Sequence, residues 1–321
     1  MTGTVAYSLL IATLIDFVLG DPYWFPHPVI MMGRLIRFTE KRVRRSFAKN
    51  KVLGGCVLWF VVVGSSFATV FWAIRLAGKI SPLLAFSMQT LLMWNCISTK
   101  CLAVEAEKVG SAVRRGDLNL SRTRISYLVG RDTTELSFAE ILRATVETVA
   151  ENTVDGTIAP MFFAVLGGAP LMVAYKACNT LDSMVGYKNE DYIELGRASA
   201  LIDDLVNLIP ARVSIALIAL SAPLVGLNAK EAWRIGLRDR KNHLSPNSAH
   251  AEAAFAGALG VRLGGTNVYF GKKVEKPTIG DAVKELEAED ISRSNRLLFA
   301  TTITTLLLFL LLREIGMKIV G

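Results

Sequence analysis

The chain has 321 residues, of which 52% are hydrophobic, and its mean hydropathy is +0.40. Two soluble domains would be common at this length, but such a hydrophobic fraction argues against them. The net charge is +8. Strand-like alternation of polar and apolar residues is absent, so a membrane β-barrel is not expected either. We therefore predict an all-α, polytopic integral membrane protein with amphipathic cytosolic helical inserts.

Six apolar segments are predicted as membrane helices of a single membrane-embedded catalytic domain spanning residues 1–321. They cover approximately residues 2–20, 52–74, 80–104, 156–178, 207–227 and 297–312. Residues 52–74 and 80–99 carry no charge, and each is close to the roughly 20 residues that cross a bilayer core. These two segments are expected to form a hairpin, with Arg75 and Lys79 in its outer turn.

A basic stretch follows the first apolar segment. Eight basic side chains lie between Arg34 and Lys51, with Glu40 as the only acid among them. Positive charge accumulates in cytoplasmic loops, so we expect the N-terminus outside and this stretch inside. No nucleic-acid motif or interleaved aromatic pattern accompanies it, and nucleic-acid binding is not expected.

An amphipathic helix is predicted before the fourth apolar segment. Ser137 followed by Glu140 is typical of a capping box at its start. Glu147 and Glu151 then lie one turn apart on the polar face, and Asp155 follows shortly after. Carboxylates at this spacing can share a hard divalent cation, although a solvated helix face would explain the same pattern.

The fourth apolar segment, residues 156–178, is interrupted by glycines and prolines. This content favours irregular backbone packed within protein, so we predict a possible re-entrant segment rather than a simple span. A polar stretch follows, Asn179–Asn189, with amides, an acid, a hydroxyl and a lysine. Such side chains suit a phosphate and metal site, and an ordinary polar loop is the alternative.

Several motifs together resemble the CobD/CbiB family. The most specific are ETVAENTVDG at residues 147–156 and NTLDSMVGYKN at residues 179–189. Others are Asp16 with Gly20-Asp21-Pro22, Asp203-Asp204, Ser245-Pro246-Asn247 and residues 256–265. The chain departs from the family pattern at Ala249-His250-Ala251, where the family often has a glycine, an aromatic residue and a proline.

The resemblance implies an adenosylcobinamide-phosphate synthase of the cytoplasmic (inner) membrane, with its active site facing the cytosol. Such an enzyme joins a carboxylate of adenosylcobyric acid to the amine of aminopropanol phosphate or ethanolamine phosphate. ATP and Mg²⁺ are the implied co-substrate and cofactor. ATP converts the carboxylate to an acyl phosphate, which the amine attacks, and such chemistry depends mainly on positioning and charge neutralisation.

The resemblance also suggests roles for individual residues. The predicted metal ligands are Glu147, Glu151, Asp155 and Asp182. The predicted ATP- or phosphate-binding residues are Arg131, Lys176, Lys188 and Asn189. The predicted catalytic residues are Glu151, Asn152, Asn179, Asp182 and Lys188. The aromatic run Tyr23, Trp24 and Phe25 either borders the corrin ring or forms an interfacial belt. A single site would require Asp155 and Asp182 to lie on the same membrane face.

Two alternative functions remain open at this point. The Asn179-xx-Asp182 pattern is similar to motifs of Mg²⁺-dependent intramembrane transferases that act on a prenyl or lipid diphosphate, with Asp203-Asp204 as a weak second motif. The second alternative is a transporter with ionisable residues along its substrate path. The polar residues cluster near the ends of segments, which favours an enzyme.

Overall fold

The computed structural model describes residues 2–22, 24, 28–187, 189–269 and 272–320. Among the residues singled out above, Tyr23, Phe25 and Lys188 lie outside the described residues. The chain packs into two compact units. Unit 1 comprises Met1–Ser98, Ala159–Asn207 and Leu308–Gly321, and unit 2 comprises Thr99–Ile158 and Leu208–Leu307.

Helices dominate the structure. In chain order they are α1 (Thr2–Leu19), α2 (Pro28–Ser46), α3 (Lys51–Ile80), α4 (Pro82–Trp94), α5 (Thr99–Arg114), α6 (Leu118–Ile125), α7 (Phe138–Thr153), α8 (Ala159–Val185), α9 (Arg197–Val206), α10 (Leu208–Ser221), α11 (Ala229–Asp239), α12 (Ser248–Leu259) and α13 (Ala288–Val320). A π-helical turn, Val154–Ile158, joins α7 to α8, and a 3-10 turn, Ala222–Val225, follows α10. Strands β1 (Leu263–Tyr269) and β2 (Lys272–Ile279) lie between α12 and α13.

The prediction of a helical membrane protein is confirmed. Among the described residues, four helical stretches are long and apolar enough to cross a membrane: Lys51–Ile80, Phe138–Val185, Leu208–Val225 and Ala288–Gly316. A shorter apolar helix covers Thr4–Leu19. Large apolar side chains point outward from these helices, including Phe60 at 71% exposure and Leu307 at 62%. Such exposure suits lipid contact.

In unit 1, α1, α3, α4 and α8 pack against one another. Two hydrogen bonds join buried polar groups within this packing. Gln89 Nε2 on α4 donates to Ser8 Oγ on α1 at 3.0 Å, and Trp94 Nε1 donates to the Gly20 carbonyl at 3.1 Å. Such pairing is required because a buried polar group without a partner is costly.

The hairpin was predicted with its turn in the wrong place. Helix α3 continues through Arg75 and Lys79 to Ile80, and the turn is the single residue Ser81. The Ser81 backbone N–H closes α3, and its side chain accepts a hydrogen bond from the backbone of Leu83 in α4. Pro82 starts α4 because proline is well suited to a first helical position. The predicted helix 80–104 is in fact two helices, since α4 ends at Trp94 and α5 begins at Thr99.

Helix α8 is broken where the glycines and proline predicted irregular backbone. Gly167 and Gly168 have non-helical dihedral angles, and Gly168 has a positive φ of 69°. Other residues rarely adopt that conformation. Pro170, two residues later, cannot donate a helical hydrogen bond. Whether residues 156–178 re-enter the membrane or span it stays a prediction.

Unit 2 combines a helical cluster with a hairpin. Buried apolar side chains of α5, α6 and α7 form one core cluster. The small residues of α12 allow close packing on α11: a Cβ on Gly257 would lie only 2.2 Å from the Glu231 carbonyl oxygen. The antiparallel β1–β2 hairpin was not predicted. Its second strand contains several charges and Pro277, which are uncommon in strands but tolerated at a sheet edge.

Candidate functional site

A small polar cleft in unit 2 collects several of the predicted site residues. Its volume is about 140 Å³. Its lining consists of Leu128, Val129, Gly130, Arg131, Glu147, Thr148, Glu151, Asn152 and Glu252. These residues come from the segment after α6, from one face of α7 and from α12. We call this feature the acidic cleft.

Local sequence sets how α7 presents its side chains. Both halves of the capping box form: Ser137 Oγ accepts from the Glu140 backbone, and Glu140 accepts from the Ser137 backbone at 2.8 Å. This confirms the predicted helix start and accounts for Glu140 as a cap. From that start, Glu147 and Glu151 are one turn apart and share a face because of the helical period.

Arg131 and Glu147 form a buried ion pair at the wall of the cleft. Arg131 Nη2 lies 3.0 Å from Glu147 Oε2, and the two side chains are only 5% and 13% exposed. The other carboxylate oxygen, Oε1, accepts from the Gly264 backbone N–H at 2.9 Å and lies 3.7 Å from Arg143 Nε. Glu147 is thus held by two guanidinium groups and a backbone donor, an arrangement that fixes the position of Arg131.

Glu151 and Asn152 continue the cleft wall. Glu151 Oε1 accepts from Ser248 Oγ of α12 at 2.8 Å. Asn152 Nδ2 donates to the Thr148 carbonyl within α7 at 3.0 Å. Both residues were predicted, and the structure brings both to the cleft beside Arg131.

Glu252 is a cleft residue that sequence reasoning missed. It lies on α12, is only 4% exposed, and lines the acidic cleft. His243 Nε2 lies 4.0 Å from its Oε1. A usable signal existed, because Glu252 is the only acid in the otherwise small and apolar helix SAHAEAAFAGAL. Acids are almost never fully buried unless they are paired.

Asp155 is placed differently from the other acids of its motif. It lies in the π-helical turn Val154–Ile158 and is partly buried. It is not one of the described residues that line the acidic cleft. Single π-helical turns often occur at functional sites, so its predicted metal role is neither supported nor contradicted by this position.

The residues described contain no group of three or more His, Cys, Asp or Glu side chains close enough to hold a metal ion by themselves. Mg²⁺ is commonly bound by one or two carboxylates together with waters and substrate phosphates. The donor set of the cleft fits that mode, since Glu151 and Glu252 line it with an arginine nearby. The predicted magnesium ligands stay a prediction.

The second predicted motif lies in unit 1. Asn179 Nδ2 is 3.5 Å from Asp203 Oδ1, and Asn207 Nδ2 donates to Asp203 Oδ2 at 3.1 Å. Tyr175 Oη completes this network by donating to Asn207 Oδ1 at 2.9 Å. Asp203 belongs to the predicted Asp203-Asp204 pair, so the structure brings the first acid of that pair to Asn179 within the same unit.

Asp182 lies one turn beyond Asn179 on the same helix. A Cβ on Gly186 would lie 1.9 Å from Asp182 Oδ1, so only glycine fits beside this carboxylate. Lys176 is partly buried on α8. Asn189 Oδ1 accepts from the Tyr192 backbone at 3.1 Å and so stabilises the following turn. The catalytic and phosphate-binding roles of these residues stay predictions.

Apolar helices of membrane-spanning length, with a polar cleft of acids and an arginine, define the class: a helical membrane protein with a site suited to charged ligands. The family model described as CobD/Cbib protein matches residues 9–298. The chain belongs to the CobD/CbiB family, which confirms the resemblance drawn from its motifs.

Curated relatives match over nearly the whole chain. The "Cobalamin biosynthesis protein CobD" of Geobacter metallireducens is 52% identical over 300 residues, covering 94% of each chain. The "Cobalamin biosynthesis protein CbiB" of Salmonella choleraesuis is 49% identical over 305 residues, covering 94% of this chain and 96% of the relative. The protein of Citrobacter koseri with the CobD name is 50% identical over the same length. No solved structure matches the chain.

Proposed function

We propose that this protein is an adenosylcobinamide-phosphate synthase of cobalamin biosynthesis. It joins a carboxylate of adenosylcobyric acid to the amine of aminopropanol phosphate or ethanolamine phosphate, with ATP and Mg²⁺. The relatives named cobalamin biosynthesis proteins support the pathway. The observation that carries the reaction class is the buried Arg131–Glu147 pair beside Glu151 in one sheltered cleft.

The overall reaction has two transfers. A carboxylate oxygen of the corrinoid attacks the γ-phosphorus of ATP, and ADP leaves. The amine nitrogen then attacks the acyl carbon, an amide bond forms, phosphate leaves, and the nitrogen loses a proton. Both steps gather negative charge at phosphate oxygens, so they need fixed cationic donors.

The residues of the acidic cleft have different roles in these two steps. Arg131, held at the cleft wall by Glu147, supplies the fixed positive charge that would bind a phosphate. Glu147 is a positioning residue, because it holds the guanidinium in place without needing to touch substrate. Glu151 and Glu252 would hold Mg²⁺, which supplies further neutralisation of phosphate charge when bound.

The activity test uses full-length protein in detergent. Adenosylcobyric acid, aminopropanol phosphate, ATP and Mg²⁺ are incubated with the protein, and the amide product is followed by mass spectrometry. A parallel reaction contains ethanolamine phosphate. Product formation with ATP consumption is expected, and a folded sample that makes no product with either amine would overturn the proposal.

Glu151→Gln tests the assignment of the cleft. The substitution keeps the shape and the hydrogen bond from Ser248 but removes the charge that a hard cation requires. We expect a loss of turnover of at least about 100-fold, since removing a group that stabilises transition-state charge commonly costs that much. Glu135→Gln, at an exposed position outside the cleft, is the matched control. Wild-type turnover and Mg²⁺ dependence in Glu151→Gln would contradict the role.

The proposed location is the cytoplasmic membrane, with the N-terminus outside and the cleft open to the cytosol. The basic helix α2 supports this orientation through the positive-inside rule. Reporter fusions to the N-terminus and to the Lys241 loop would test it. Cytosolic activity of an N-terminal reporter would contradict the topology.

A further inference from the structure

A second, larger cavity lies in unit 2 and has no role in the account above. Its volume is about 650 Å³. Its lining consists of Arg212, Ile215, Leu237, Arg240, Lys241, His243, Ser245, Pro246 and His250. These residues come from α10, from the end of α11, from the connecting loop and from the first turn of α12. We call this feature the basic cavity.

The cavity gathers cations that carboxylates do not neutralise. Within the described part of the chain, no Asp or Glu forms an ion pair with Arg212, Arg240 or Lys241. Arg212 Nη1 instead donates to the Leu208 carbonyl at 2.7 Å, and Arg240 Nη1 donates to the Leu237 carbonyl. These backbone contacts position the guanidinium groups and leave their charge in place.

The arginines of α11 that lie outside the cavity form ion pairs with carboxylates. Arg234 pairs with Glu231 and Asp281, and Arg238 pairs with Asp239 and Asp281, at 2.7 to 2.8 Å. The two arginines of α11, which lie outside the cavity, have carboxylate partners. Arg240, which follows α11 directly and lines the cavity, has none among the described residues. The cavity therefore concentrates uncompensated positive charge.

One of the two histidines that line the cavity, His250, is affected by that charge. His250 is only 4% exposed, and its Nδ1 lies 3.1 Å from the Asn247 carbonyl oxygen. Burial lowers the pKa of His250, and the nearby charges of Arg212 and Arg240 lower it further. The two guanidinium groups therefore act on a common point in the cavity wall.

The basic cavity is larger than the acidic cleft and fits a larger ligand. Sites for organic ligands of drug size usually occupy about 300–1,000 Å³. The basic cavity falls in that range and has an apolar side formed by Ile215, Leu237 and Pro246. The acidic cleft, at about 140 Å³, suits only a small group. His243 lines the cavity and lies 4.0 Å from Glu252 of the cleft, so the two share a wall.

We propose that the basic cavity binds the phosphate groups of a nucleotide-sized ligand, with Arg212, Arg240 and Lys241 on the phosphates. The choice of a nucleoside triphosphate rests on the proposed function, which consumes ATP. The assignment of a phosphate ligand is independent of the proposed function, because it follows from the charge and size of the cavity alone. Arginine and lysine are the usual partners of phosphate oxygens.

Binding of a non-hydrolysable ATP analogue to the full-length protein in detergent, measured by calorimetry, tests this assignment. The double variant Arg240→Gln/Lys241→Gln should bind the analogue between about tenfold and a hundredfold more weakly, since hydrogen bonds to charged groups are the stronger ones. Arg240→Lys retains the charge and should lose less. Lys230→Gln, an exposed position on the same helix, should bind like wild type. Unchanged affinity in the double variant, or an equal loss in Lys230→Gln, overturns the proposal.

Competition identifies the source of the phosphate. Displacement of the analogue by pyrophosphate but not by short-chain phosphatidylglycerol assigns the cavity to a soluble phosphate ligand. Displacement by phosphatidylglycerol but not by pyrophosphate assigns it to a lipid headgroup and overturns the nucleotide assignment. Charge-dependent binding in a protein that makes no amide would uphold the cavity and overturn the ligase function. Amide formation with the same KM for ATP in wild type and double variant would uphold the ligase and overturn the cavity.

Discussion

Replacing Arg131 with glutamine should destabilise unit 2 by about 3 kcal/mol, because removing one partner of a buried ion pair leaves the other charge uncompensated. The pair is short and buried: the atoms lie 3.0 Å apart, and the side chains are 5% and 13% exposed. Breaking such a pair typically costs about 3–5 kcal/mol. The low end applies because Arg143 and the Gly264 backbone N–H still face Glu147.

The measurement is a thermal midpoint in detergent, with a double-mutant cycle. For a domain of about 150–250 residues, 1 kcal/mol shifts the midpoint by roughly 2–4 °C, so Arg131→Gln should lower it by about 6–12 °C. Glu147→Gln should also be destabilising, since it removes the carboxylate that is paired with the buried Arg131 guanidinium. The double variant Arg131→Gln/Glu147→Gln removes both charges and should recover part of the loss.

A surface pair provides the matched control. Arg296 Nη2 lies 3.5 Å from Glu289 Oε1, and these side chains are 57% and 52% exposed. Surface pairs contribute about 0–1 kcal/mol, so Arg296→Gln should shift the midpoint by only a few degrees. The reasoning is refuted if Arg131→Gln costs no more than Arg296→Gln, or if the effects of Arg131→Gln and Glu147→Gln simply add.

Three further predictions concern a cap, a glycine and a pH response. Ser137→Ala removes half of a capping box and should cost about 1 kcal/mol, seen as a lower thermal midpoint. Gly186→Ala should displace the Asp182 carboxylate, because its Cβ would lie 1.9 Å from Asp182 Oδ1, and should lower turnover in the amide assay. Hydrogen bonds from Arg234, and then from a second arginine, lower the pKa of Asp281 below its usual value. Its contribution to stability is therefore present above about pH 4, is lost as the pH falls through the lowered pKa, and should disappear from the pH dependence of the midpoint in Asp281→Asn.

Each of these has a control in the chain. Ser126→Ala changes a serine at the end of α6 that caps no helix start, and it should cost less than the Ser137 change. Gly64→Ala places a methyl group where nothing lies within 4 Å, so turnover should be unchanged; equal losses in the two glycine variants would contradict the steric argument. Glu285→Gln, for which no ion pair is seen among the described residues, should keep the acid response that Asp281→Asn loses.

The features read correctly from the sequence are local ones. The capping box at Ser137 and Glu140 depends on residues three apart, and the break at Gly167-Gly168 depends on the backbone freedom of the glycines themselves. The membrane helices follow from the hydrophobicity of continuous segments. The family motifs also marked Glu147, Glu151 and Asn152, although the pattern of acids alone was compatible with a solvated helix face.

The incorrect predictions concern where one helix ends and the next begins. Hydrophobicity cannot distinguish one helix over residues 80–104 from two helices, and charge placed the hairpin turn at Arg75 and Lys79. The structure turns at Ser81 instead, because a serine cap followed by Pro82 ends one helix and starts the next within a single residue.

The assembly of the two sites depends on contacts between residues that lie far apart in the chain. Glu151 meets Ser248, 97 positions away, and Glu147 meets the Gly264 backbone, 117 positions away. Glu252 enters the acidic cleft because α12 packs on α7, a helix about a hundred residues earlier in the chain. Arg212 and Arg240 line one basic cavity because the consecutive helices α10 and α11 pack together. Local sequence patterns were enough to locate the charged side chains on particular helices. Helix packing decided which of those charges face one another, because that depends on contacts between segments that no local pattern encodes.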